Sequence, residues 1–258
     1  MPFVDENRSF YYRDMVIPEY AVDLHRNLRI SNLQRFMQDT SAMQLAELDW
    51  PYEKLFQKGY VYLLTWYRLQ LFRPIKAHES IRIYTWPRTI KGARIYRDFS
   101  AKDHEDKLIA EASTVWVLAN AVTHKIENPS ATPLKELRMQ PHLGLSIPEA
   151  AKIRPPKDMA EIGVRRVRYS DVDFNGHLTN SNYSDIFCDE MGVDLNRYWI
   201  QEYQVNFHKE ALLGDVIQLA GEIRQEEDRL IGFLLGNVED RACFDIQARC
   251  TPFEAVGA

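Results

Sequence analysis

The chain has 258 residues, of which 45% are hydrophobic, and a formal net charge of −5. This length suits one large domain or two small ones, and the acidic balance argues against a general nucleic-acid binder, which needs a basic surface. We expect no stable membrane insertion, because no run of about 18 apolar residues exists. The N-terminus opens with acids and lacks an apolar signal core, which predicts a cytoplasmic protein.

The glycines and cysteines give no support to a cofactor or metal site. None of the 11 glycines belongs to a dinucleotide-binding or phosphate-binding motif. Cys188, Cys243 and Cys250 have no C-x-x-C spacing, which favours reduced and mostly buried thiols. The histidines also lack the spacing of a zinc site. We therefore expect neither a cofactor nor a metal.

The first half of the chain predicts a helix followed by strands. Ser31 and Gln34 match an S-x-x-Q capping box, and an apolar stripe at helical spacing follows from Leu33. Residues 81–86 and 108–118 are strand-like. Half of the 12 prolines then fall between Pro129 and Pro156. This cluster predicts a linker over residues 131–160, between an N-terminal domain at 1–130 and a C-terminal domain at 161–258.

The second half repeats this order. Thr179 or Asn180 is expected to cap a helix with Tyr183 and Phe187 on its apolar face, and residues 216–223 and 230–235 are strand-like. Matching residues recur at a spacing of 150, since 173 − 23 = 150 for aspartates and 182 − 32 = 150 for asparagines. The pattern predicts a tandem duplication of an α+β unit, with one helix packed on an antiparallel sheet in each half.

One polar motif in the second half carries chemistry. Asp173, Asn175 and His177 alternate along the chain, so an extended backbone would point all three side chains to one side. A helix start just beyond them would add N–H donors and partial positive charge. The first half instead has His25 and Asn27 at the last two positions. The pattern therefore predicts that one half performs chemistry, such as attack of water on a carbonyl, and that the other serves as scaffold.

Other interpretations of these residues stay open at this point. A lone histidine is more often structural than catalytic, and Glu210, at the start of a strand-like region, fits a solvated strand-end charge. Asp171, Asp173, Asn175 and Gly176 also match the start of an EF-hand loop. The EF-hand is disfavoured because Asn182 stands where a bidentate Glu is expected and because the preceding segment looks extended.

Residues 168–183 resemble the active-site segment of acyl-ACP thioesterases. The shared pattern is Asp-x-Asn-x-His, with an Asn three places later and a Tyr six places later. Residues 203–215 resemble the strand that follows in this family, and residues 61–66, 96–99 and 112–118 resemble its earlier strands. The resemblance implies two tandem hotdog domains, each a long helix wrapped by a curved antiparallel sheet. It also implies hydrolysis of fatty acyl-acyl carrier protein to free fatty acid in fatty acid biosynthesis.

The resemblance assigns the catalytic positions to Asp173, Asn175, His177 and Glu210. Plant members carry a Cys directly after the Glu, and this chain has Ala211 there, so a thiol nucleophile at that place is excluded. Direct attack by water is then expected, with Glu210, His177 or both accepting its proton, because imidazole and carboxylate groups serve as general bases.

The resemblance also directs attention to substrate contacts. The acyl chain is expected against apolar residues of the first half, although each of these also fits an ordinary core: Phe36, Met37, Met43, Leu64 and Trp66. Because acyl carrier protein is acidic, a basic docking patch is expected from Arg165, Arg166 and Arg168, or from Lys152, Arg154 and Lys157. A homodimer is compatible with the sequence. The alternatives are an acyl-CoA thioesterase, a hotdog dehydratase, or a non-catalytic acyl-binding protein.

Overall fold

The computed structural model describes residues 3–4, 10–131 and 139–253. The chain divides into two compact units, Met1–Ala150 and Ala151–Ala258. Residues 132–138 of the predicted linker lie outside the described residues. Further along that segment, Ala150 is buried against Tyr96 in the first unit, and Ile153 is buried against Ile231 in the second. The described part of this segment therefore contributes to a core on either side of the division.

The first unit is an antiparallel sheet with a helix packed on it. Its sheet, over the described residues, has the order β1-β2-β4-β5-β6-β3. The elements are β1 (Phe3–Val4), β2 (Tyr11–Val16), α1 (Ile30–Glu47), α2 (Tyr52–Gln57), β3 (Tyr60–Leu71), β4 (Ser80–Lys91), β5 (Arg94–Asp103) and β6 (Leu108–Asn120). Helix α1 contacts β4 and β2, and it buries Leu33 and Met37. The predicted α+β class is confirmed.

The second unit repeats this design. Its strands have the order β8-β11-β10-β9-β7. The elements are β7 (Ala160–Arg166), α3 (Asn182–Glu190), β8 (Tyr198–Phe207), β9 (Val216–Glu226), β10 (Arg229–Val238) and β11 (Arg241–Pro252). Helix α3 buries Tyr183, Ile186 and Phe187. It packs closely on the sheet, because a Cβ at Gly232 would lie 2.7 Å from the Phe187 ring.

Matching hydrogen bonds recur in both units at the predicted spacing of 150. The Asn32 carboxamide donates to the Ala21 carbonyl at 2.9 Å, and the Asn182 carboxamide donates to the Asp171 carbonyl at 2.9 Å. Each carboxamide thereby ties the start of its helix to the loop that precedes it. This agreement of side-chain contacts supports a duplication, which the sequence offsets alone could only suggest.

The second unit is shorter than the first after the helix start. Helix α1 has 18 residues and α2 follows it, whereas α3 has nine. Leu28 bonds to Ile75 and Leu178 bonds to Ala211, so beyond the helix the offset is 211 − 75 = 136. Among the described residues, no helix is both long and apolar enough to cross a bilayer.

The predicted helix caps are wrong. Helix α1 begins at Ile30 after Arg29, and α3 begins at Asn182 after Ser181, with no side-chain cap in either. Backbone hydrogen bonds fix the first turn of α1 instead, because the Leu33 N–H donates to the Arg29 carbonyl at 3.0 Å. Ser31 therefore lies within the first helical turn, where its hydroxyl is buried.

The first unit contains a buried polar layer between helix and sheet. The Arg97 guanidinium donates to Gln44 of α1 at 2.7 Å and to Thr85 at 3.0 Å, and burial lowers the pKa of Arg97 to about 10. Its neighbour Asp98 lies 2.6 Å from the Arg88 guanidinium. Burial still raises the pKa of Asp98 to about 6, because the cost of desolvating the carboxylate exceeds the attraction of Arg88.

Replacement of Asp98 by Asn is expected to change how stability depends on pH. A raised carboxyl pKa means that the folded state holds the proton more tightly than the unfolded state. The stability of the wild type relative to Asp98→Asn is therefore greatest below pH 3.8, where 3.8 is the ordinary pKa of an aspartate. It falls as the pH rises, until the pH passes about 6. The fall is on the order of 3 kcal/mol. Urea unfolding of both proteins between these pH values measures it, and a constant difference would contradict the assignment.

Candidate active site

Residues 173–177 form a tight turn. Asp173 donates its backbone N–H to the His177 carbonyl at 2.9 Å, and Gly176 donates to the Asp173 carbonyl at 2.9 Å. Gly176 has φ +77°, a left-handed conformation that glycine adopts without steric cost. The expectation of an extended segment with alternating side chains is therefore wrong, since the aspartate and glycine of this stretch favour a turn.

Asp173 shapes this turn with its side chain. Its carboxylate accepts a hydrogen bond from the backbone N–H of Asn175 at 2.8 Å. The same contact occurs in the first unit, where Asp23 accepts from the backbone N–H of His25 at 2.8 Å. Asn175 is exposed at the turn, and His177 is half-buried where the turn ends. Asp173 thus fixes the backbone that carries the other two residues.

The segment that contains Glu210 lies beside this turn. Leu178 donates its backbone N–H to the Ala211 carbonyl at 2.8 Å, and His177 pairs with Leu212 in an antiparallel bridge. Glu210 directly precedes Ala211 in this segment, and its charge acts on the buried Tyr183 phenol together with that of Asp173. The structure therefore brings the Glu210 segment beside the motif.

Tyr183 of α3 lies near the two acidic residues of the candidate site, Asp173 and Glu210. The ring is buried edge-on against Phe207 and Phe244, with centroids 5.1 and 4.9 Å away. Burial raises the pKa of the Tyr183 phenol, and the negative charges of Glu210 and Asp173 add to the effect. The backbone of Ala211 lies close enough to the phenol to oppose this rise of its pKa. The Tyr183 hydroxyl of α3 is thus near the turn and near the Glu210 segment.

Most backbone N–H groups near the turn already donate a hydrogen bond to a backbone carbonyl. Leu178 donates to Ala211 and Thr179 donates to the Asp171 carbonyl at 3.0 Å. Within the described segment from Gly176 to Asn180, the N–H groups of His177 and Asn180 are the ones without such a bond. These two are the backbone candidates for holding a negatively charged oxygen.

The predicted acyl-chain residues lie on α1 and β3 of the first unit. Met37 and Leu64 are buried, and the Tyr67 hydroxyl contacts the Met37 sulfur at 3.3 Å. Phe36 and Met43 are half-buried. Trp66 is also half-buried, and the Arg94 guanidinium lies 4.8 Å from its ring centroid. These positions fit a core, and contact with an acyl chain stays a prediction.

The EF-hand alternative does not fit the fold. Strand β7 precedes the acidic stretch, where an EF-hand requires a helix. Asp171 accepts from the backbone N–H of Arg168 at 2.8 Å and from the Arg165 side chain at 3.3 Å. Its carboxylate is therefore already occupied by protein donors.

Two family models match the chain in succession. The model of the acyl-ACP thioesterase N-terminal domain matches residues 8–130, and that of the acyl-ACP thioesterase C-terminal domain matches residues 156–247. The chain belongs to the acyl-ACP thioesterase family. It is a thioester hydrolase whose substrate is fatty acyl-acyl carrier protein. The resemblance found in residues 168–183 is confirmed.

Solved structures agree with this fold over almost the whole thioesterase. A protein assigned as an oleoyl thioesterase from Lactobacillus plantarum has a TM-score of 0.83 at 19% identity, covering 97% of this chain and 99% of its own. An acyl-ACP thioesterase from Bacteroides thetaiotaomicron has a TM-score of 0.83 at 17% identity, covering 96% and 100%. The 12:0-ACP thioesterase from Umbellularia californica has a TM-score of 0.82 at 14% identity, covering 95% of this chain and 94% of its own. The tandem hotdog fold is confirmed. No curated protein matches the sequence significantly.

The helical stripe predicts that Tyr183 is buried, but it does not reveal what the Tyr183 hydroxyl lies near. The internal repeat holds the signal. The equivalent residue, at a spacing of 150, is Leu33, which is also buried. Packing at this place therefore needs only an apolar side chain, and the hydroxyl is an addition in the unit that carries the acidic residues.

Replacement of Tyr183 by Phe is expected to lower kcat on the order of tenfold and to shift the pH–rate profile. The change removes the phenol oxygen near Ala211, and a small displacement of the Glu210 segment is costly for positioned groups. Tyr67→Phe is the matched control, since it removes another buried phenol oxygen in the first unit. Steady-state kinetics across pH checks this. Identical profiles for the two variants would remove Tyr183 from the site.

Proposed function

We propose that this thioesterase hydrolyses its acyl-ACP substrate by direct attack of water in the second unit. Asp173, Asn175, His177 and Glu210 would serve the reaction. The observation that supports this is the bond from Leu178 to Ala211, which holds the segment of Glu210 beside the turn that ends at His177. A water molecule between the imidazole and the carboxylate can be oriented by one and deprotonated by the other.

In this mechanism the water oxygen forms a bond to the thioester carbonyl carbon, and the carbon–sulfur bond then breaks. The water proton passes to Glu210 or His177 and from there to the leaving sulfur. The products are a free fatty acid and the thiol of the carrier protein's prosthetic arm. Asn175 offers both a donor and an acceptor, so it can position the water or the carbonyl oxygen. Asp173 acts as a positioning residue through the turn.

The negatively charged oxygen of the intermediate would bind the N–H of His177 or Asn180. One such donor typically lowers a barrier by about 2.7 to 4 kcal/mol. A cysteine nucleophile is not part of the scheme. Ala211 occupies the place of the plant cysteine, and burial raises the pKa of the Cys243 thiol near Tyr183, which keeps that thiol protonated.

The acyl chain would lie against the first unit, on the residues that the sequence predicts there. Helix α1, at 18 residues, offers twice the length of α3, which supports a role of the first unit in holding a long apolar chain. A homodimer and a cytoplasmic location complete the proposal.

Incubation with a panel of acyl-ACP and acyl-CoA thioesters tests the proposal, with released acids identified by mass spectrometry. Wild type should release fatty acid from acyl-ACP, and His177→Ala and Glu210→Gln should each lower kcat by about 10²- to 10⁴-fold. His25→Ala is the matched control, because it changes the equivalent turn of the first unit. Retention of wild-type turnover in both site variants would contradict the mechanism, and preference for acyl-CoA would favour the alternative substrate.

A further inference from the structure

Exposed apolar side chains surround the candidate site on three loops of the second unit. Tyr169 is 84% exposed and Phe174 is 77% exposed. Leu212 and Leu213 are 44% and 53% exposed. Cationic residues flank them at Arg168 and Lys209, which are also exposed. We call these six residues the rim: Arg168, Tyr169, Phe174, Lys209, Leu212 and Leu213.

Hydrogen bonds hold the rim loops in place. Gly214 donates to the Val167 carbonyl at 3.0 Å, and Val167 donates to the Asp215 carbonyl at 2.8 Å. The Asp215 carboxylate accepts from the Leu212 backbone at 2.9 Å. The bond from Leu178 to Ala211 joins the same loops to the turn. The apolar side chains are therefore displayed by an ordered backbone, next to the proposed reacting groups.

The charge at the rim is positive. Among the described residues, the side chains of Arg168 and Lys209 form no ion pair. Of the nearby acids, Asp171 accepts from Arg165 and from the Arg168 backbone. Arg165 also approaches Asp189 at 3.7 Å. Arg165 and Arg168 are both among the arginines that the sequence predicts for docking. Arg168 is therefore more available than Arg165 to form an ion pair with an acidic partner.

The first unit shows that the fold does not require these side chains. By the offsets of 150 and 136, the rim positions correspond there to Pro18, Glu19, Leu24, Arg73, Lys76 and Ala77. Leu24 alone among them is a large apolar residue. Arg73 is paired with Glu79 at 2.5 Å and with Asp103 at 3.0 Å. The aromatic residues thus occur in the repeat that carries the candidate site, whereas Lys76 supplies an exposed cation in the first unit as well.

We propose that the rim is the docking surface for the acyl carrier protein. This inference rests on the proposed function, because it places docking around the site in the second unit. The cations of the rim complement an acidic carrier, and exposed aromatic residues are typical anchors of protein interfaces. Phe174 lies within the turn that carries Asn175 and His177, so a carrier bound there would present its prosthetic arm beside the reacting groups.

A second copy of this chain is a poorer occupant. A two-fold interface brings the same patch of both copies together. That contact would place Arg168 and Lys209 of one protomer near those of its partner, which repel. It would also cover the opening through which a carrier-bound thioester must arrive.

The test compares kcat/KM for acyl-ACP with that for the same acyl chain on pantetheine. Phe174→Ala and the double change Arg168→Glu with Lys209→Glu should each lower kcat/KM for acyl-ACP at least about tenfold more than for acyl-pantetheine. The loss should appear as a higher KM for acyl-ACP. Leu24→Ala is the matched control, because Leu24 is 79% exposed on the equivalent turn of the first unit.

Two results would overturn the docking role. One is equal losses on both substrates, and the other is a change of oligomeric state in Phe174→Ala by sedimentation, which would assign the rim to a second copy. Failure of the proposed function looks different, since His177→Ala and Glu210→Gln would then retain wild-type turnover on both thioesters. Circular dichroism melting of each variant confirms that it is folded before the comparison is made.

Discussion

The hydrogen bond from the Leu178 N–H to the Ala211 carbonyl fixes the register on which the site depends. It joins the residue after the turn to the segment after β8, and it sets His177 opposite Leu212. A shift of one residue in this pairing would carry Glu210 away from its place beside the turn. The chemistry of the second unit therefore depends on a backbone contact that contains no reacting atom.

The first unit makes the same backbone contact, from Leu28 to Ile75 at 2.7 Å, without the same side chains. By the offset of 136, Pro74 stands where the second unit has Glu210. Asp23 and Asp173, in contrast, perform the same task of closing a turn. The comparison separates scaffold from chemistry within one chain. The aspartate belongs to the scaffold, whereas the imidazole, the Glu210 carboxylate and the Tyr183 hydroxyl are additions of the second unit.

Features that repeat locally could be predicted from the sequence. The offset of 150 and the strand patterns gave the tandem α+β fold, because they depend on neighbours in the chain. The turn at residues 173–177 could not be predicted from the alternation, because alternating polar residues suit a strand as well as a turn, and Gly176 is the local sign of the turn. The nearness of Glu210 followed only from family resemblance, since 33 residues separate it from His177 (210 − 177) and no local pattern sets that register.

A double-mutant cycle on kcat/KM for acyl-ACP tests most directly whether His177 and Glu210 act at one place. His177→Ala, Glu210→Gln and the combined variant are measured beside wild type. Residues that share one water molecule act as a unit, so the double variant should lose about as much as the worse single variant. Free-energy losses that add fully, as they do for independent sites, would contradict the convergence of these two side chains.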